Sequence, residues 1–255
     1  MATALITGGT SGIGAAFARA LAARGDDLVL VARDPERLAE SARQLKERYG
    51  IAVETIPADL AVRDDVQRVA ERLASTEQPV DILINNAGFG VRTKLLNSDT
   101  GPHEHGIDVM IRAVLILSAA AGRAMCDRGH GLIVNVSSTS GLMAMSSYSA
   151  IKAYVLTYSE VLANELRGTG VQVTALLPGW VRTEFHQRAS IGTGGIPPVL
   201  WLEADDLVAD CLKDAAAGKV ISTPSARYKV LMTIVRHLPR RTVRTISRRL
   251  TSGRH

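Results

Sequence analysis

The chain predicts an α/β fold: a doubly wound parallel sheet with strand order 3-2-1-4-5-6-7, in a single domain that carries a basic helical C-terminal extension. Three observations carry that expectation. Short runs of Val, Leu and Ile alternate with longer segments of helical periodicity. The short runs are apolar at every position rather than every second one, as in strands covered on both faces. The first of them ends in a glycine-rich turn that opens straight into a helix. A length of 255 residues suits one large domain with a well-buried core and is short for two.

Residues 4–7 form the first strand, 12–24 an alanine-rich helix and 28–31 the second strand. Asp34 caps a helix over 35–49, with Pro35 at its first position, where the missing N–H costs nothing. Residues 53–56 form strand three and 64–73 a helix. Strands four to six fall at 82–84, 132–134 and 171–177, and a seventh at 219–221. Long helices fill 104–128 and 147–167. Residues 186–201 break the alternation with Gly192, Gly194, Gly195, Pro197 and Pro198, and form either a substrate lid or a plain surface loop.

Composition excludes several classes. Aromatic residues make up 4% of the chain, so the core is built from Ala, Val, Leu and Ile. No uninterrupted apolar run reaches about 18 residues, so no transmembrane helix is expected. The most apolar stretch, residues 107–121, carries Asp108 and Arg112. Met1 leads directly into the first strand without a basic segment, so no signal peptide is expected. Cys126 and Cys211 stand alone in sequence, outside any CxxC or Cys/His cluster, and read as inert thiols. No metal site follows, and the cytoplasm is the natural compartment. Charge is unevenly placed. No Asp or Glu follows Asp214, and ten of the 30 Lys and Arg lie beyond it, leaving 20 against 25 acids before it.

The turn Thr7-Gly8-Gly9-Thr10-Ser11-Gly12-Ile13-Gly14 is a phosphate cradle. Gly8 permits the tight turn, Gly12 lets backbone approach a pyrophosphate, and Gly14 lets helix and strand pack closely. Thr10, Ser11 and Ile13 complete the loop, whose helix N-terminus offers free N–H groups and partial positive charge. A bound dinucleotide is therefore expected. Strand two ends Val31-Ala32-Arg33-Asp34. A small Ala32 leaves room, and Arg33 can pair with a ribose 2′-phosphate, so NADP(H) is favoured and NAD(H) is the alternative.

Four further motifs follow in order: Asp59-Leu60, Asn85-Asn86-Ala87-Gly88, Ser138 with Tyr148 and Lys152, and Pro178-Gly179-Trp180-Val181-Arg182-Thr183. With the glycine turn they resemble the short-chain dehydrogenase/reductase family over residues 1–222, closest to its bacterial ketoacyl-reductase-like members. The resemblance implies a dinucleotide-binding and catalytic domain at 1–222; it does not cover residues 223–255, which read from their own spacing and charge as a basic helical extension. It implies that Asp59 meets the adenine amino group and Leu60 flanks the ring. Asn86, Ala87 and Gly88 would border the cofactor. Thr183 would hold the nicotinamide carboxamide, with Pro178, Gly179 and Val181 beside it. Taken singly, Asp59 also reads as a turn cap and Asn85-Asn86 as loop residues.

Tyr148 and Lys152 are four apart on one helical face. A free phenol titrates near 10, too high for a base at neutral pH, and a neighbouring ammonium favours the phenolate. Tyr148 could then exchange a proton with a carbonyl or alcohol oxygen while Ser138 holds that oxygen. The family implies that Lys152 also bonds the nicotinamide ribose. Two departures stand out. The Asn usual in the helix after strand four is replaced by Met110, which cannot hold a relay water and leaves open a non-catalytic dinucleotide-binding relative. The segment 139–147 is shorter than usual, which puts Ser137 in competition with Ser138.

Met143, Ile191, Ile196, Val199, Leu200 and Trp201 near the expected pocket point to an apolar substrate of fatty, ketoacyl or steroid-like kind. In the tail, Tyr228, Leu231, Ile234, Val235 and Leu238 recur at helical spacing, Pro239 ends that helix, and Val243, Ile246 and Leu250 suggest another. Three readings of the basic tail stay open: helices docked on the acidic body, attachment to an anionic membrane, or recruitment of an acidic thioester carrier. Nucleic-acid binding is not expected, because no motif or aromatic platform supports it. A homo-oligomer through the two long helices is implied by the resemblance.

Overall fold

A computed structural model describes residues 1–91, 93–183 and 197–252, with side chains through residue 249. Strand β1 (Thr3–Thr7) sits at the point where the sheet changes winding direction. On one side of it follow β2 (Asp27–Ala32) and β3 (Val53–Pro57). On the other come β4 (Ile82–Asn85), β5 (Gly131–Val136), β6 (Val171–Leu176) and a two-residue edge strand at Ile221–Ser222. All six pairings are parallel, and the order is that expected from sequence. The edge strand starts two residues later than expected and ends one residue later. A separate parallel pair, β7 (Trp180–Val181) and β8 (Trp201–Leu202), precedes it in the chain and makes it β9.

Successive strand residues point to opposite faces, so each strand feeds two cores. Leu5, Leu83 and Ile133 join Met110 and Leu117 on one face. Ile6, Ile84 and Val134 join Phe17, Leu21 and Leu30 on the other. Helices α1 (Gly12–Ala22) and α2 (Pro35–Tyr49) cover the second face. Helix α3 (Arg63–Ala74) and the long helical segment after β4 cover the first. Asp34 caps α2 as expected, its Oδ1 accepting from Glu36 N at 3.0 Å and Arg37 N at 3.1 Å.

The long segment consists of α4 (Gly101–Ile107), a π-helical turn (Asp108–Arg112) and α5 (Ala113–Arg128). By length and composition it could cross a membrane, contrary to the expectation that none would. Its Met110, Ala113, Leu117, Ala121 and Met125 are buried against the sheet, which makes it a core helix of this fold.

Helix α6 (Ser147–Glu165) is tied to the sheet by a buried polar chain. Asn85 Nδ2 donates to Asn135 Oδ1 at 2.9 Å and to Ser118 Oγ at 3.0 Å, and Asn135 Nδ2 donates to Ser159 Oγ at 3.0 Å. Four elements are thereby held in register, because breaking any link would strand a buried amide.

After α7 (Ala204–Ala216), helices α8 (Ala226–His237) and α9 (Arg240–Ser252) form the tail. Tyr228, Met232, Val243 and Ser247 are buried, and Ala144 N donates to Ser247 Oγ at 3.0 Å. The tail therefore packs onto the body, which was one of its three readings. The Leu250 side chain lies outside the described residues, as do Ile191, Ile196 and most of the expected lid.

Candidate active site

The glycine turn is built by contacts that its neighbours enforce. Gly8 and Gly12 adopt φ of 67° and 53°, which side chains rarely tolerate. Gly8 N donates to Val31 O at 2.7 Å. From the end of β4, Asn86 Nδ2 donates to the carbonyls of Thr7 at 2.9 Å and Gly8 at 3.2 Å. Thr7 Oγ1 accepts from the N–H groups of Asn86 at 2.9 Å and Ala87 at 3.0 Å. A β-carbon on Gly14 would stand 2.1 Å from Gly8 O and 2.5 Å from Asn86 Nδ2. Asn86 thus clamps the turn as well as bordering the cavity, a role the sequence did not expose. Gly14 serves packing and does not line the cavity.

The turn fits a dinucleotide's phosphates on this chain's own geometry. Gly8, Thr10, Ser11, Gly12 and Ile13 face a cavity of about 2010 Å³. The first turn of α1 carries no acidic residue to oppose an anion. Single small ligands usually occupy about 300–1,000 Å³, so there is room for a dinucleotide and a substrate together. Ala32, Arg33, Asp59 and Leu60 line one end. Arg33 is exposed and makes no ion pair with another described residue, whereas the Asp34 carboxylate is occupied by its capping bonds. Asp59 also caps a turn, its Oδ1 accepting from Ala61 N at 2.9 Å. The turn-cap reading of Asp59 is thus seen directly.

The other end holds the proton-carrying groups. Ser137 Oγ donates to the Lys152 carbonyl at 2.6 Å, so its proton is already engaged, which favours Ser138. Ser138 lines the cavity, its Oγ accepting from Ser140 N at 3.1 Å and sharing a side-chain hydrogen bond with Tyr148. The shortened segment after it opens with a 3₁₀ turn, Thr139–Leu142. There a β-carbon on Gly141 would meet the Lys152 backbone at 2.9 Å.

Lys152 Nζ donates to Val136 O at 2.8 Å and lies 5.7 Å from the centre of the Tyr148 ring. Burial pushes the Tyr148 phenol up to about 12, and the Ser138 hydrogen bond pulls it down by a smaller amount. Burial lowers Lys152 to about 8. The expectation that Lys152 acidifies Tyr148 is corrected accordingly: between these two side chains desolvation outweighs charge. Met110 is fully buried. The point where a Gly88 β-carbon would stand is 3.1 Å from Met110 Sδ and 3.5 Å from Lys152 Nζ, so a thioether packs beside the ammonium.

Pro178, Gly179, Val181 and Thr183 line the cavity between its two ends, and the Thr183 side chain abuts Gly12 at 3.4 Å from its would-be β-carbon. The apolar end differs from expectation. Met143 and Leu200 line it, but Trp201 packs against Trp180 at 6.0 Å between ring centres and Val199 points to solvent. The tail supplies the wall instead, through Tyr228, Leu231, Met232, Val235 and Leu238. Tyr228 Oη accepts from Trp180 N at 3.0 Å and donates to Leu200 O at 2.8 Å. Its pairing with distant residues left no local signal beyond a helical face. Cys211 is buried and its thiol is pushed up to about 12, which keeps it inert.

Phosphate-binding amides at one end of a cavity and a proton-carrying phenol at the other are what a nicotinamide-dependent oxidoreductase requires. Residues 2–192 match the family model for the short chain dehydrogenases, and the chain belongs to that family. Its fold is similar to that of a short-chain dehydrogenase from Sphingobium yanoikuyae in complex with NADPH. The TM-score is 0.84 at 36% identity, covering 94% of this chain and 97% of that one. The bulky-bulky ketone specific alcohol dehydrogenase from Comamonas testosteroni matches with TM-score 0.80 at 32% identity, over 92% of each chain. The very-long-chain 3-oxoacyl-CoA reductase of Anas platyrhynchos is 32% identical over 218 residues, 76% of this chain and 69% of that protein.

Proposed function

We propose that this short-chain dehydrogenase is an NADP(H)-dependent reductase of bulky, largely apolar ketones, acting in the cytoplasm. The observation that carries the reading is the convergence of Ser138, Tyr148 and Lys152 on the same cavity as the glycine turn and Arg33. Arg33, with Ala32 leaving room, would bind a 2′-phosphate, and Asp59 and Leu60 would hold the adenine. Thr183 would hold the carboxamide and Lys152 the ribose. The bound cofactor supplies the hydride.

This chain's residues handle the proton. The Tyr148 phenol is protonated at neutral pH, so its Oη can donate to a carbonyl oxygen in the reducing direction. Ser138 Oγ, beside it, can donate to that same oxygen and hold it in line. The apolar tail wall excludes water from the reacting carbon and accepts a hydrocarbon body. The NADPH complex of the Sphingobium relative supports the cofactor, and the ketone and 3-oxoacyl-CoA names of the other two relatives support the substrate class.

A panel of ketones, aldehydes and acyl thioesters, followed at the NADPH absorbance band, tests this reading. Turnover of bulky apolar ketones with NADPH is the expected result. Met110 favours a second reading, a dinucleotide-binding protein without turnover, which predicts NADPH binding and no reaction across the panel. Exposed Leu115, Tyr154 and Val161 on α5 and α6 support a homo-oligomer through those helices. Sedimentation of the purified chain tests that, and a monomer at all concentrations rejects it.

A further inference from the structure

Two exposed features meet at the mouth of the cavity, and apart from Leu231, which also belongs to the tail wall, the chemistry above uses neither. The first is apolar. Leu95, Leu96, Leu231, Ile234 and Ile246 line the cavity yet remain exposed, Leu96 at 99% and Ile234 at 54%. Val230, 63% exposed, extends the patch along α8. A loop before α4 and two tail helices thus bring large apolar side chains to one opening. Exposed apolar residues scattered singly carry no message, whereas a cluster around an opening marks an interaction surface.

The second is charge. Helix α9 buries Val243 and Ser247 on one side and carries Arg240, Arg241, Arg244 and Arg248 exposed on the others. Arg241, Arg244 and Arg248 line a shallow cleft with Thr245 and Ala144. Like charges three and four residues apart repel, so helix stability alone does not favour this pattern. No acid follows Asp214, while the rest of the chain carries an acidic excess, so the net positive charge is confined to this end.

An apolar patch bordered by arginines, on two tail helices that themselves carry no Asp or Glu, complements an anionic bilayer. The side chains enter the acyl boundary while the guanidinium groups meet phosphates. We propose that the α8–α9 face docks on an anionic phospholipid membrane and turns the cavity mouth toward the lipid, so that a membrane-dissolved substrate enters from the acyl region. The substrate step rests on the reductase reading; the docking does not.

The test is co-sedimentation of the full chain with vesicles of phosphatidylcholine alone or mixed with phosphatidylglycerol, at rising salt. The expected result is binding to the anionic vesicles only, weakened as salt screens the arginines. The double variant R241E/R244E and, separately, Val230→Asp lower the bound fraction about tenfold, with unchanged melting and circular dichroism. None of these residues lines the cavity, so turnover of a water-soluble ketone stays at the wild-type rate while turnover of a vesicle-dissolved one falls. Wild-type indifference to anionic vesicles, or binding unmoved by both variants, overturns the proposal. So does vesicle indifference together with capture of an acidic acyl-carrier protein, or self-association of the chain abolished by Val230→Asp. Vesicle binding without turnover of any carbonyl upholds the docking surface and removes the reductase reading instead.

Discussion

The ring of Tyr228 fills the space where a side chain on Gly179 would stand: an added β-carbon would fall 2.0 Å from the ring Cζ. The same phenol bonds the backbone at Trp180 and Leu200. One residue of α8 thereby fastens the tail to the turn that follows β6, and the apolar wall depends on that fastening.

Gly179→Ala should therefore expel Tyr228 and loosen the wall. Overpacking of this kind costs about 1–3 kcal/mol. The expected outcome is a lower melting temperature and a KM for bulky ketones raised about tenfold, with NADPH affinity less affected. Calorimetry and steady-state kinetics read both, and wild-type KM for bulky ketones would show that the wall does not rely on this contact.

Asn86 is the clamp of the phosphate turn. Asn86→Ala leaves the Thr7 and Gly8 carbonyls without their donor, a loss of about 1–3 kcal/mol for unsatisfied buried groups. NADPH dissociation constants should rise about tenfold together with a loss in denaturation midpoint. Titration of NADPH fluorescence and urea unfolding provide the measurements.

Lys152 gives a pH signature. Its folded value is near 8 and its ordinary value 10.5, so below 8 both states are protonated and the cost of the buried cation is fully present. Between those values the unfolded chain binds more protons, and stability rises with pH. Lys152→Met should be more stable than wild type near neutrality, with the gap closing as pH approaches 10.5. A gap that stays constant from neutral to alkaline pH would show that Lys152 is not a desolvated cation.

If Arg33 pairs with the 2′-phosphate, it sets the cofactor preference. Arg33→Ala should weaken NADPH by about tenfold or more, the value of a lost charge-assisted bond, and leave NADH nearly unchanged. Parallel titrations decide it, and equal losses for both would reject a 2′-phosphate contact.

Much of this was legible because it is local. Continuous apolar runs gave away the buried parallel strands, and the glycine positions marked the cradle before any contact was known. What stayed hidden depends on residues far apart in sequence. Strands β7 and β8 are two residues each, too short for any periodicity, and exist only because Trp180 and Trp201 are brought together. Trp201 was hydrophobic and near the right place, yet its ring turned to Trp180 instead of the cavity. Charges can be counted in a sequence and burial cannot, which is why Tyr148 was expected to be acidified when desolvation raises it. The bond that engages the Ser137 hydroxyl depends on the Lys152 carbonyl, fifteen residues away, and left no local signal.

The most direct measurement is the turnover of Tyr148→Phe on a bulky ketone, with NADPH affinity measured on the same preparation. Loss of the phenolic proton should lower kcat/KM by at least about tenfold while NADPH binding and melting stay at wild-type values. Wild-type kcat/KM in that variant would contradict proton transfer from Tyr148 and, with it, the assignment of this cavity as the reducing site.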